Sequence, residues 1–265
     1  MILANNGILA SSISGLDSDA QAFITAAGIT NATQKTAINT LVLDLKSAGI
    51  WTLLDVFYPF VGGTATTHKF NLKDPRDLDA AYRAIFNGGI THSATGMLPN
   101  GTTGYVDTNY NPYLIYGSQG SNNQAMGWYC RTNSTGTKVI VGGFESASWY
   151  NQLVPSATFL MDWPGGNRNT VANANSQGNY ICLNNSTDGK ELWKNGTRII
   201  DTTFKTERNP NVNILLGQWG NSSRYSNHEL ACFWHGKIGT TVTGSHVSAL
   251  NTAIVAFQTA LSRNV

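Results

Sequence analysis

The hydrophobic pattern changes its period along the chain. Through residues 1–16 the large apolar side chains Ile2, Leu3, Ile8, Leu9 and Ile13 stand among Ala, Ser, Asn and Gly without helical spacing. This predicts an extended arm, with those five side chains as its attachment points. From Asp17 the spacing becomes helical. Ser18 with Gln21 reads as a capping box, Ala20, Phe23, Ile24 and Ala27 form the stripe, and Gly28 is the stop. Asn31 with Gln34 repeats the start, and Ile38, Leu41, Val42 and Leu45 carry a second stripe to Gly49. Two short helices are therefore expected over 17–49. The aromatic run Ile50–Phe60 reads as a strand leading into the main domain, and Asp74-Pro75 reads as a cap with proline at the first helical position, before Leu78, Ala81, Tyr82 and Ile85.

Beyond Phe86 the period falls to two, in short strands parted by Gly, Asn, Ser and Thr. Trp128 and Cys130 share a face of one strand, Lys138–Val141 begins another, and Ile214–Gly217 and Glu229–Trp234 are later ones. Leu192-Trp193-Lys194-Asn195-Gly196-Thr197-Arg198-Ile199 carries Asn-Gly between alternating runs, the preferred two-residue hairpin loop. That register sets Leu192 opposite Ile199 and Trp193 opposite Arg198. Ser245 then caps a closing amphipathic helix, 245–262, with Val247, Leu250, Ile254, Phe257 and Leu261 on one face, packed on the sandwich or on a neighbouring subunit. Many short strands without βαβ alternation mean a mainly β chain, an antiparallel β-sandwich or jelly roll over 50–265.

Composition narrows the function. Of 265 residues only 12% are charged, about half of the ~25% usual in soluble domains, and the formal net charge is +2. No broad field for phosphate or anionic lipid exists, so nucleic-acid partners are not expected. No apolar run approaches the ~20 residues of a membrane span, so no membrane insertion is expected. The N-terminus lacks the basic start of a signal peptide. Cys130, Cys182 and Cys232 lie about fifty residues apart with no CxxC spacing, and read as small apolar residues inside strands.

No catalytic or metal set is legible, and no cofactor is expected. Glu145, Glu191, Glu207 and Glu229 are isolated, whereas glycoside hydrolysis needs a carboxylate pair. Asp74, Asp77 and Asp79 fit charges at a helix N-terminus. His228-Glu229 opens like a zinc-protease motif, but the second histidine is missing, and His235 lacks a recognisable partner ligand. Aromatics beside amides are the remaining candidates. Trp163 with Asn167, and Trp219 with Tyr225, could stack on a sugar face while amides meet its hydroxyls; alternatively these rings fill the core or an interface.

The segments Phe86–Gly89, His92–Gly96 and Gly101–Thr108, with the Leu192–Gly196 hairpin and Asn213–Gly217, resemble a laminin-G/concanavalin A-like jelly roll over roughly 86–245. Asp19–Thr30, Tyr58–Ala65, His68–Asp77 and the Ala256–Leu261 helix resemble a module of tailed-bacteriophage head or tail appendage proteins. That resemblance implies a non-enzymatic virion structural protein, a capsid decoration, spike or fibre-knob subunit. It would be made in the host cytoplasm, released by lysis, homo-oligomeric, and in contact with other virion structural proteins. The alternative is a carbohydrate-binding host-recognition module with a host-surface glycan as partner. A polysaccharide hydrolase is a weaker third reading.

Overall fold

The computed structural model describes residues 15–117, 124–134, 138–145, 148–154, 158–161, 169–185, 189–202, 209–220, 224–237 and 244–265. The attachment candidates Ile2, Leu3, Ile8, Leu9 and Ile13, and the sugar candidates Trp163 and Asn167, lie outside these residues.

Two helices open the described chain, α1 (Ser18–Ala26) and α2 (Ala32–Ser47). The cap of α2 is Asn31, whose Oδ1 accepts from Gln34 N–H at 3.0 Å, as its sequence predicts. The cap of α1 is Asp17, one residue before the expected Ser18. Tertiary contacts decide this, because Asp17 is held to α2 by Lys46 at 2.7 Å and its N–H donates to Asn39 Oδ1 at 2.7 Å.

The run from Ile50 splits into a 3-10 turn, Trp51–Leu53, and strand β1 (Leu54–Tyr58), followed by the single-turn α3 (Ala65–His68). The helix expected after Asp74-Pro75 shrinks to a 3-10 turn, Asp79–Ala81, ended by Tyr82 at φ 58°. Of the acids there, Asp79 alone lies in the first turn, and all three are paired with cations. Asp74 pairs with Arg76 at 2.5 Å, Asp77 with Lys69 at 2.5 Å and Arg83 at 3.0 Å, and Asp79 with Arg83 at 2.6 Å.

The remaining elements are β2 (Ile85–Asn87), β3 (Ile90–Ser93), β4 (Gly96–Pro99), β5 (Tyr105–Asp107), α4 (Pro112–Tyr116), β6 (Gln124–Cys130), β7 (Lys138–Glu145), β8 (Ser148–Val154), β9 (Thr158–Met161) and β10 (Asn169–Ala172). They continue with β11 (Gly178–Asn185), β12 (Gly189–Lys194), β13 (Thr197–Thr202), β14 (Leu215–Leu216), β15 (Leu230–Lys237) and α5 (Gly244–Ala260). Among the described residues they form two antiparallel sheets. One runs β13-β12-β11-β6-β15-β4-β3 with β1 also paired to β15, and the other runs β10-β9-β8-β7-β14-β5-β2.

Two cores make three layers. Between the sheets lie Tyr58, Val106, Met126, Trp128, Cys130, Val141, Tyr180, Cys182, Leu216 and Phe233. On the outer face of the larger sheet, Tyr129, Ile181, Cys232 and Trp234 pack under Phe23, Ile38, Leu41, Leu45, Leu250, Ile254 and Phe257 of the three longer helices. The closing helix thus packs on its own sandwich. With both faces covered, all seven residues of β6 are buried, and Trp128 and Cys130 share the inter-sheet face as expected. All three cysteines are free and buried.

At the β12–β13 hairpin both loop residues have positive φ, Asn195 at 49° and Gly196 at 79°, the geometry of the type I′ loop. Trp193 faces Arg198, and the guanidinium lies 5.7 Å from the ring centroid. Leu192 faces Ile200, not Ile199, because a bulge shifts the register between Leu192 and Trp193.

Candidate functional site

Three strands set a row of side chains on the outer face of the smaller sheet. Leu216 pairs with Val106 and Val141, all turned into the inter-sheet core; the next row, Leu215 opposite Asp107 and Gly142, therefore faces outward. A cavity of about 340 Å³ opens along this row, lined by Asp107, Gly143, Phe144, Val212, Asn213, Leu215 and Gly220.

The polar members are held by their neighbours. Asp107 Oδ1 accepts from Asn109 N–H at 2.8 Å and from Asn213 Nδ2 at 2.9 Å. The loop that carries Asn213 is tied on both sides: Asn211 N–H donates to Glu145 Oε2 at 2.7 Å, Asn111 Nδ2 to Asn211 Oδ1 at 2.8 Å, and Ile214 N–H to Tyr110 O at 2.9 Å. Phe144 meets Trp219 edge to face at 5.8 Å between centroids, and Gly220 sits so close that a Cβ there would lie 2.8 Å from Phe144 Cβ. Two acceptor-bearing side chains, one ring and small apolar walls on a rigid strand platform suit a ligand with hydroxyls and an apolar face.

Of the two described sugar candidates, Trp219 adjoins this cavity through Phe144 and Tyr225 lies across from Gln218. Gln218 bridges to Tyr225 by backbone pairing, and Gln218 Nε2 donates to Tyr225 Oη at 2.9 Å. Trp219 is not a free stacking surface. Arg224 lies over its ring at 4.9 Å, its Nε1 is buried with no acceptor among the described residues, and the indole packs against Phe144. The sequence reading missed Asp107, Phe144 and Asn213. The available signal was alternation, since Val106 and Leu216 must point inward and so turn Asp107 and Leu215 out.

A second polar cluster lies between β1, α4 and β15. Asp55 Oδ2 accepts from Tyr110 Oη at 2.8 Å and from Tyr116 Oη, and Tyr110 Oη meets His235 Nδ1 at 2.8 Å. The Tyr110 proton goes to the carboxylate, so His235 donates from Nδ1. Burial holds His235 down at about 3 and raises both tyrosines, which leaves imidazole and phenols neutral near pH 7. The cluster joins β1 to β15 and is not poised as a base. His228, which opens like a zinc-protease motif in the sequence, is held by two hydroxyls: its ring meets Ser226 Oγ at 3.0 Å and Ser176 Oγ at 3.2 Å.

The helical layer has a cavity of its own, about 370 Å³ between α2 and α5, with an adjoining space of about 480 Å³. Its walls are mainly alanine and threonine, and its polar atoms are strung along α2 from Thr33 to Asp44 without converging. It offers no comparable recognition set.

No protein-family model and no curated protein matches the sequence. Solved structures do share the fold. The receptor-binding domain of botulinum neurotoxin C/D mosaic serotype aligns with TM-score 0.59 at 9% identity, over 78% of this chain and 52% of that one. The chain thus spans about half the length of that domain. Domain 4 of AbnA, a GH43 extracellular arabinanase from Geobacillus stearothermophilus in complex with arabinotriose, aligns with TM-score 0.50 at 12% identity, over 75% of this chain and 98% of that one. A mutant Trypanosoma rangeli sialidase displaying trans-sialidase activity aligns with TM-score 0.55 at 8% identity, over 83% of this chain and 39% of that one. None of these three is a virion protein. At such identities the likeness is one of architecture, and the chain is an antiparallel β-sandwich of the jelly-roll type.

Proposed function

We propose that this chain is a non-catalytic carbohydrate-binding module whose sugar site is the cavity of Asp107, Phe144 and Asn213. The observation that carries this reading is the cavity's make-up: a ring, a carboxylate and an amide brought together on the outward row of β5, β7 and β14. Two neighbours of similar architecture support it, one described as a receptor-binding domain and one bound to arabinotriose. The test is a broad glycan array with the full chain and Phe144→Ala. Binding that the substitution abolishes supports the reading, and no binding to any sugar overturns it.

Display on a virion is a second reading, implied by the phage-module resemblance and favoured by one observation. The helical layer and the cavity lie on opposite faces of the sandwich, so attachment through the helices would leave the cavity pointing outward. Cross-linking of this chain within an intact particle tests it. Cross-links to another virion protein from Lys35 or Lys46 of α2 support the reading, and their absence in the assembled particle rejects it.

A further inference from the structure

We propose that the Asp107 cavity selects neutral sugars over sialylated and uronate sugars; this rests on the sugar-binding reading above. The first ground is charge. Asp107 is the one ionisable side chain among the described residues that line the cavity. The cation that the neighbouring rings bring near, Arg224, is stacked over Trp219 and does not line it. A carboxylate-bearing sugar would meet a fixed anion in an open-mouthed cavity with no cation among its described lining residues.

The second ground is the count of acceptors. Asp107 Oδ1 is taken by Asn109 N–H and Asn213 Nδ2, while Asp107 Oδ2 and Asn213 Oδ1 have no partner among the described residues. The 2.9 Å bond holds the two side chains together on the cavity wall. Two open acceptors call for O–H donors, which sugar hydroxyls supply and a carboxylate cannot. Phe144 then takes the C–H face of the ring, with Leu215 and Val212 as apolar walls.

The experiment titrates the full chain with matched neutral and acidic oligosaccharides, lactose against sialyllactose and digalactose against digalacturonate, chosen beside any hit of the array. We expect the neutral member of the responding pair to bind at least tenfold more tightly. Asp107→Asn should keep both Oδ1 contacts, because an amide oxygen accepts them equally, but turns the second acceptor into a donor. It should weaken neutral binding about tenfold and narrow or invert the neutral-to-acidic ratio. Equal or tighter wild-type binding of the acidic member, lost in Phe144→Ala, overturns this inference while leaving the sugar-binding reading intact. Neutral binding unaltered by Asp107→Asn also overturns it. No sugar binding of any kind overturns both. The wild-type ratio needs no folded variant, so the inference stays testable even if Asp107→Asn does not fold.

Discussion

His68 and His92 meet nitrogen to nitrogen, Nδ1 to Nδ1 at 3.0 Å. Gly63 N–H donates to His68 Nε2 at 3.2 Å, so the His68 proton sits on Nδ1 and is given to His92, which keeps its own on Nε2. Burial, then the neighbouring His92 and Arg263, hold His68 down at about 3. His235 is likewise held at about 3 and His228 at about 4, chiefly by burial. Each folded-state value lies below the ordinary 6.5, so between that value and the folded one the unfolded chain binds more protons. Stability from these groups is complete above about pH 6.5 and lost as pH falls, by up to about 1.4 kcal/mol per unit for each histidine. Urea midpoints at pH 7.5, 6 and 5 should decline stepwise. A midpoint flat across that window would show that the three rings titrate normally.

Gly127→Ala should be among the most damaging single changes in the sandwich. A Cβ there would lie 2.5 Å from the Trp234 ring and 2.6 Å from Tyr180 O, between the strands that hold both. Neither can retreat, because Trp234 is packed under the helices and Tyr180 O belongs to the ladder. Overpacking of this kind costs about 1–3 kcal/mol or more, read as a fall in melting temperature.

Phe144→Ala and Trp219→Ala should part in their effects. Phe144 is half-buried on the cavity wall, and its loss should weaken sugar binding by roughly tenfold, on the order of 1 kcal/mol, with little change in melting temperature. Trp219 supports Phe144 and carries Arg224, so its loss should lower both affinity and thermal stability. Calorimetry and a melt on the same two samples decide this; an unaltered melt for Trp219→Ala contradicts its bracing role.

Arg263→Ala should unfasten the end of the described chain. The side chain is fully buried, donates from Nη1 to Phe60 O at 2.9 Å and from Nη2 to Pro59 O at 3.2 Å, and lies over the Phe257 ring at 5.3 Å. Its removal leaves two buried carbonyls without donors and a void beneath α5, a loss of roughly 2–4 kcal/mol. Denaturant unfolding measures it, and faster amide exchange in α5 should accompany the loss.

What the sequence disclosed was mostly local. Asn31 with Gln34, the Asn195-Gly196 loop and the α5 stripe are decided within one turn of chain, and the structure has them where the pattern sets them. The acids at Asp74, Asp77 and Asp79 are held chiefly by cations, Asp74 by its neighbour Arg76, and Asp77 and Asp79 by Lys69 and Arg83 that the fold brings close, which a reading by helix dipole does not reach. The Leu192 register slipped because a bulge leaves no mark in a short alternating run. The candidate site was the least legible part. Asp107 and Asn213 stand 106 residues apart and meet only because β14 pairs with β5. Trp219, conspicuous as a residue, proves to be occupied by Arg224.

The shortness of β14 carries a mechanical consequence. Strand pairing between β7 with its outer partners and β5 with β2 runs through two residues, Leu215 and Leu216, flanked by single hydrogen bonds such as Gly217 N–H to Ile140 O and Thr108 N–H to Ile214 O. The cavity straddles that joint, with Asp107 on one side and Phe144 on the other. Any occupant gripping both walls acts as a rivet across this two-residue joint, and slower amide exchange at Val106, Val141 and Leu216 on loading would register the fastening.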